Sequence, residues 1–199
     1  MTVEVKICGL DRAESVDAAV NAGAKLLGFV FYPPSPRNLT PRQASQLTIR
    51  VSAEVKRVGL LVNPTDKFIS DILDTNDLDL IQLHGEETPE RLTEIKRLTN
   101  LGVIKVIKIS NVRDLSSIYE YERVSDWLMF DAAAPKDMKG ALPGGNAISF
   151  DWKILKDVKI SRPWILAGGL NAENVKKAVK ISGARVVDVS SGVEKKTWS

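Results

Sequence analysis

Cysteine and histidine each occur once, as Cys8 and His84. A single cysteine excludes an internal disulfide, and one cysteine with one histidine excludes a zinc cluster of the usual ligand spacing, so no metal is expected. No run of eighteen apolar residues that could span a bilayer occurs, and Glu4 and Lys6 place charge where a signal peptide needs an apolar segment. A cytoplasmic protein without a membrane partner is expected. Nor is charge of one sign in excess. The 28 basic and 25 acidic residues leave a net +3, with no basic block and no RNP-like aromatic motif, which argues against nucleic acid. Such a balance suits a small anionic ligand without demanding one. The first strand-to-helix turn, Cys8-Gly9-Leu10, also lacks the GxGxxG glycines of a dinucleotide fold.

What the sequence has is alternation. Its 199 residues, 44% hydrophobic, are enough for one sizeable core, and one domain over 1–199 is expected. The opening stretch from Val3 to Cys8 has period two: Val3, Val5 and Ile7 share one face, and Glu4, Lys6 and Cys8 the other. Strands are then predicted near 25–31, 56–62, 79–84, 103–109, 126–131, 163–167 and 185–189. Between them lie helices near 11–21, 41–49, 65–75, 88–99, 113–122, 151–157 and 171–181, the first capped by Asp11. The spacing between strand ends is about 26 residues per strand-helix unit. Strict βα alternation implies a parallel sheet, and eight such units favour an α/β fold closed as a (β/α)8 TIM barrel over an open doubly wound sheet.

Barrel enzymes build their sites where the strands end, so the residues there are the candidates. Cys8 ends the first strand, Gln82 and His84 share a face of the fourth, Asp131 ends the sixth, and Asp188 and Ser190 share a face of the eighth. A polar column inside an apolar barrel is costly unless it is paired or used. Taken singly, each has a plainer explanation: a lone cysteine is often a small buried hydrophobe, and Asp131 or Asp188 could cap a helix or pair with a cation. Leu166-Ala167-Gly168-Gly169-Leu170 after the seventh strand and Ser190-Ser191-Gly192 after the eighth are small enough to bring backbone N–H groups onto an oxyanion. These are also the positions at which barrels recurrently bind phosphate. Arg37 follows three prolines in the loop after the second strand, where it is either a solvated surface residue or a fork for a carboxylate.

Seven stretches in order carry a family resemblance: Val5 to Leu10, Gly28 to Tyr32 with Ser35-Pro36-Arg37, Gln82 to Gly85, Phe130-Asp131, Pro143-Gly144-Gly145 through Phe150-Asp151-Trp152, Leu166 to Leu170, and Val187 to Glu194. From Val5 to Glu194 the chain resembles the phosphoribosylanthranilate isomerase family of tryptophan biosynthesis. The resemblance implies an Amadori rearrangement of a phosphorylated anthranilate sugar, without a cofactor, by one acid and one base. It makes Asp131 the acid and Cys8 the base, and gives Arg37 the anthranilate carboxylate. Lys6, Gln82, His84, Gly168, Gly169, Asp188, Ser190, Ser191 and Gly192 then serve substrate binding. An acid must hold its proton near neutral pH, and an ordinary thiol is only partly ionised there, so Lys6 on the face of Cys8 is an expected helper. Cys8 and His84 stand on strands three apart, too far for a cysteine–histidine nucleophile.

Two alternatives remain open at this point. Another sugar-phosphate barrel, such as an epimerase or indole-glycerol-phosphate synthase, would keep the phosphate loops, though the lysine and glutamate motifs of the latter are absent. A catalytically dead phosphate-binding barrel would keep the fold alone. The resemblance also fails at one end: ten residues after Val189 do not hold the last helix usual in the family. Val3, Val5, Ile7, Val187 and Val189 would then form an apolar seam needing cover from a neighbouring subunit, as in a homodimer, from a shifted helix, or from further chain.

Overall fold

The computed structural model describes residues 2–135, 137–138 and 142–194. Eight parallel strands close a barrel in chain order: β1 (Glu4–Cys8), β2 (Leu26–Phe31), β3 (Lys56–Leu61), β4 (Leu80–Leu83), β5 (Gly102–Ile109), β6 (Trp127–Ala132), β7 (Trp164–Leu166) and β8 (Val186–Val189). The ring closes by β1 pairing with β8, which sets Lys6 beside Asp188. Around it run α1 (Ala13–Asn21), α2 (Pro41–Thr48), α3 (Asp66–Leu73), α4 (Pro89–Thr99), α5 (Ile118–Glu122) and α6 (Val175–Ser182). Among the described residues no helix is long and apolar enough to cross a membrane.

Local chemistry explains where the helices start. Thr40, Thr65 and Thr88 each accept a backbone N–H from three residues on, and Pro41 and Pro89 follow two of these caps in the first helical turn. Asn100 and Gly183 take left-handed backbone at φ 55° and 76° and stop α4 and α6. Three expected helices differ. The one near 113–122 opens as a 3₁₀ turn, Val112–Ser117, because Asn111 and Asp114 cap it reciprocally and the Ser117 hydroxyl donates back to the Asp114 carbonyl, leaving α5 one turn long. The segment near 151–157 is a 3₁₀ turn, Trp152–Leu155. Asp11 does not cap α1; its carboxylate lies 3.5 Å from Nε of Arg12, the residue in the cap position.

The barrel interior is layered. Leu26, Val58, Ile104, Val106, Met129, Ile165 and Val186 form an apolar plug. Toward the carboxyl ends it gives way to Lys6, Cys8, Gln82 and Asp131, all buried, beside Val30 and Leu60. Outside, the strands pack against two larger clusters beneath the helices. These also reach the seam between β1 and β8: Ile7 packs with the cluster that holds Val16 of α1, and Val3, Val5 and buried Val187 with the one that holds Ala178 of α6. The seam is therefore partly covered by the helices on either side of it. Lys195 to Ser199, the residues that follow Glu194, lie outside the described residues.

Candidate active site

At the carboxyl ends of the strands lies a cavity of about 820 Å³, counting its open mouth. Cys8, Arg37, Gln82, His84, Asp131, Gly168, Gly169, Asp188, Ser190 and Ser191 all line it. These come from six strand ends that the fold alone brings together.

Cys8 is a free thiol, 7% exposed, on the inner face of β1. Space for it comes from Gly28 on β2: a Cβ there would stand 2.7 Å from the Cys8 sulfur and 3.1 Å from Lys6 Nζ. Burial pushes the Cys8 thiol up; the ammonium of Lys6 opposes this and the Asp188 carboxylate reinforces it. Lys6, wholly buried, donates to Asp188 Oδ1 at 2.8 Å. Burial alone would lower the Lys6 pKa, but the charges of Asp188 and Cys8 outweigh it and hold the ammonium above its ordinary value. Lys6 is thus a fixed cation beside the thiol, with Asp188 as its counter-ion.

Asp131 stands three strands from Cys8 around the ring. Its Oδ1 accepts the N–H of Ala132 at 2.9 Å, and Oδ2 lies 3.2 Å from His84 Nε2. His84 Nδ1 in turn lies 3.2 Å from Gln82 Nε2. His84 therefore faces Asp131. Gly144, in the loop after β6, sits against this pair, since a Cβ on it would approach His84 Cε1 to 2.5 Å and Asp131 Oδ2 to 3.0 Å.

Arg37 is buried to 8% exposure in the proline-rich loop. Its Nε and Nη2 donate to the two carboxylate oxygens of Glu194 at 2.6 and 2.9 Å, which raises the guanidinium pKa further. Nη1 points toward Gly145. Gly168 and Gly169 have φ of 91° and 58°, backbone that a β-carbon would strain. A Cβ on Gly192 would run into the carbonyl of Leu170, so the loops after β7 and β8 meet backbone to backbone. Ser191 opens a 3₁₀ turn, Ser191–Val193, at the same place. Gly168, Gly169, Ser190 and Ser191 line the cavity here, and backbone amides with serine hydroxyls are chemistry suited to an anion.

Three contributors lie within the stretches that carry the resemblance but have no role assigned to them there. Gly28 shows only as a break in the apolar run of β2; Gly144 is one glycine in a long loop; Glu194 reaches Arg37 across 157 residues of sequence. Among the described residues no cluster of three or more histidine, cysteine or acidic side chains is arranged to hold a metal.

The family model described as N-(5'phosphoribosyl)anthranilate (PRA) isomerase matches residues 5–197. The N-(5'-phosphoribosyl)anthranilate isomerase of Paramagnetospirillum magneticum is 50% identical over 98% of this chain and 89% of its own. Among solved structures, the phosphoribosyl anthranilate isomerase of Thermotoga maritima superposes with a TM-score of 0.85 at 35% identity, over 97% of this chain and 90% of that one. A phosphoribosyl anthranilate isomerase in complex with reduced 1-(o-carboxyphenylamino)-1-deoxyribulose 5-phosphate superposes at 0.81 with 35% identity, over 97% and 89%.

Proposed function

The chain belongs to the N-(5'-phosphoribosyl)anthranilate isomerase family, and from that premise we propose how its own residues divide the work of the reaction. The enzyme converts N-(5'-phosphoribosyl)anthranilate into 1-(2-carboxyphenylamino)-1-deoxyribulose 5-phosphate by an Amadori rearrangement under general acid–base catalysis, a step of tryptophan biosynthesis. One observation carries the assignment of roles. Cys8 and Asp131, a buried thiol and a buried carboxyl three strands apart around the ring, line one cavity together with the glycine and serine backbone after β7 and β8 that lies between them.

In this reading the phosphate binds the amides of Gly168, Gly169, Ser191 and Gly192 with the hydroxyls of Ser190 and Ser191. The anthranilate carboxylate meets the edge of Arg37 that Glu194 leaves free. The sugar then spans the gap between acid and base. Asp131 gives its proton to the furanose oxygen; the C1'–O bond breaks, and the anthranilate nitrogen lends its electron pair to form the iminium. The Cys8 thiolate takes the C2' proton, and that electron pair neutralises the iminium as an enaminol. Ketonisation moves a proton from the C2' hydroxyl to C1', and the proton that the Cys8 thiol shed on becoming the thiolate passes through solvent to Asp131, so the cycle ends with a thiol at Cys8 and a carboxyl at Asp131 and no net proton is consumed.

The electrostatics fit a base that is idle until the substrate arrives. Burial keeps Cys8 protonated in the empty site, and a cationic iminium beside it adds to Lys6 in favouring the thiolate at the moment it is needed. We also propose a cytoplasmic setting, where a catalytic thiol stays reduced. The test follows the fluorescence of phosphoribosylanthranilate as it is consumed. Cys8→Ala and Asp131→Asn should each lose at least about a hundredfold in kcat while binding a product analogue within about tenfold of the parent. A Cys8→Ala protein that keeps more than about a tenth of kcat would remove the thiol from the base role.

A further inference from the structure

The side chains around Asp131 have little exposed surface, although all of them line the cavity. Gln82 is 1% exposed, His84 5% and Asp131 7%. Three polar groups in such a place must satisfy one another, and the order in which they do so fixes where the protons lie.

The amide nitrogen of Gln82 has only N–H to offer, so His84 Nδ1, 3.2 Å away, is the acceptor. A neutral imidazole then carries its proton on Nε2, which donates to Asp131 Oδ2 at 3.2 Å. Oδ1 already takes the N–H of Ala132 at 2.9 Å. Both oxygens of Asp131 therefore face donors. The reverse amide orientation would put Gln82 Oε1 on Nδ1, move the imidazole proton there and leave Nε2 bare, able only to accept from a protonated Asp131. Among the described residues Gln82 Oε1 has no partner of its own, so the side chain has one working contact, and that contact is His84.

We propose that Gln82 and His84 are positioning residues for the acid: Gln82 locks His84 in the Nε2–H tautomer, and His84 stabilises the Asp131 carboxylate that remains once the proton has gone to the sugar. Neither needs to touch the substrate for this. The relay rests on the reading that Asp131 is the acid. Gly144 lies against the same pair, and the other ionisable groups lining the cavity, Cys8, Tyr32, Arg37 and Asp188, make no hydrogen bond to His84.

The chain has one histidine, so its ¹⁵N spectrum reads this tautomer without assignment. In the intact unmodified protein at neutral pH, one protonated nitrogen at Nε2 and one bare nitrogen at Nδ1 are expected. In Gln82→Glu, which offers Nδ1 only acceptors, the proton should shift to Nδ1 and kcat should fall by about tenfold or more, with KM within about threefold. His84→Gln, which keeps a donor at the place of Nε2, should retain about ten times the kcat of His84→Ala. An Nδ1–H tautomer or an imidazolium in the parent protein overturns the proposal, and so does a His84→Ala loss confined to KM. Asp131→Asn separates the two readings: if it retains turnover the acid assignment itself fails, whereas an inactive Asp131→Asn beside a fully active His84→Ala leaves the acid in place and removes only the relay.

Discussion

Glu194 closes one edge of Arg37: Nε and Nη2 are both spent on its carboxylate, at 2.6 and 2.9 Å. A guanidinium has five N–H groups, so the two on Nη1 and one on Nη2 remain for a second carboxylate. The glutamate thus aims the arginine and leaves it the free edge toward Gly145. Arg37→Ala should raise KM by the equivalent of about 1.5–3 kcal/mol, the worth of charge-assisted hydrogen bonds, with kcat little changed. Glu194→Gln should raise KM in the same direction but less, because the arginine keeps its charge and loses its aim. If Glu194→Gln instead lowers KM, the glutamate competes with the substrate for Arg37.

Gly144 is a glycine because of what lies under it. A methyl group there would stand 2.5 Å from His84 Cε1, closer than side-chain carbons pack, and the neighbour it would displace is the one that faces Asp131. Gly144→Ala should lower kcat by about tenfold with thermal stability within about 1 kcal/mol of the parent, since the loop and not the core must yield. Gly23→Ala is the control: Gly23 has positive φ, but among the described residues nothing lies within 4 Å of where its β-carbon would stand, and the substitution should leave kcat alone.

Cys8 and Lys6 respond to alkali in the same direction. Cys8 and Lys6 have folded pKa values above their ordinary ones, so the folded protein keeps these protons longer than the unfolded chain does. Their contribution to stability is whole below the ordinary thiol value, about 8.5, and is withdrawn as pH rises through the folded values. Chemical unfolding should therefore show stability falling from about pH 9 upward. The thiolate absorbance of Cys8 in the ultraviolet should appear at lower pH in Asp188→Asn, which removes a negative neighbour, and at higher pH in Lys6→Met. An unchanged titration in both would mean that the thiol does not feel the pair.

The barrel and its polar rim are readable in the sequence because both obey period two. Lys6 with Cys8 and Gln82 with His84 show as polar residues on one face of apolar strands, and the glycines after β7 and β8 stand where barrels bind anions. What the sequence hides depends on contacts across the fold. Gly28 matters because Cys8 and Lys6 come to lie beside it, and Glu194 because β8 closes on β1 and carries it to Arg37. The helix expected near 113–122 has adequate periodicity, but Asn111, Asp114 and Ser117 offer the backbone local side-chain partners that tighten the first turns to 3₁₀.

Behind β4, on the outer side of the barrel, Lys105 and Glu87 form an ion pair of 2.7 Å with side chains only 3% and 1% exposed. Lys105 also donates to the Gly85 carbonyl at 2.8 Å and sits 5.3 Å from the centre of the Tyr121 ring. The other oxygen of Glu87 accepts the N–H groups of Asn63 and Gly85 at 2.8 and 3.0 Å, so the pair ties the loop after β3 to the one that follows His84. Burial nonetheless outweighs the attraction and pulls the Lys105 pKa down. A depressed folded value means that this contribution to stability is whole above the ordinary lysine value and is lost as pH falls, so at neutral pH the charged lysine is a cost that its partners offset only in part. Removing one member strands the other. Glu87→Gln and Lys105→Met should each lose about 3–5 kcal/mol in urea unfolding, whereas the double variant, with no charge left to bury, should recover more than half of that loss. Strictly additive losses would show that each residue acts through its backbone contacts alone, and single losses below about 1 kcal/mol would show that water reaches the pair.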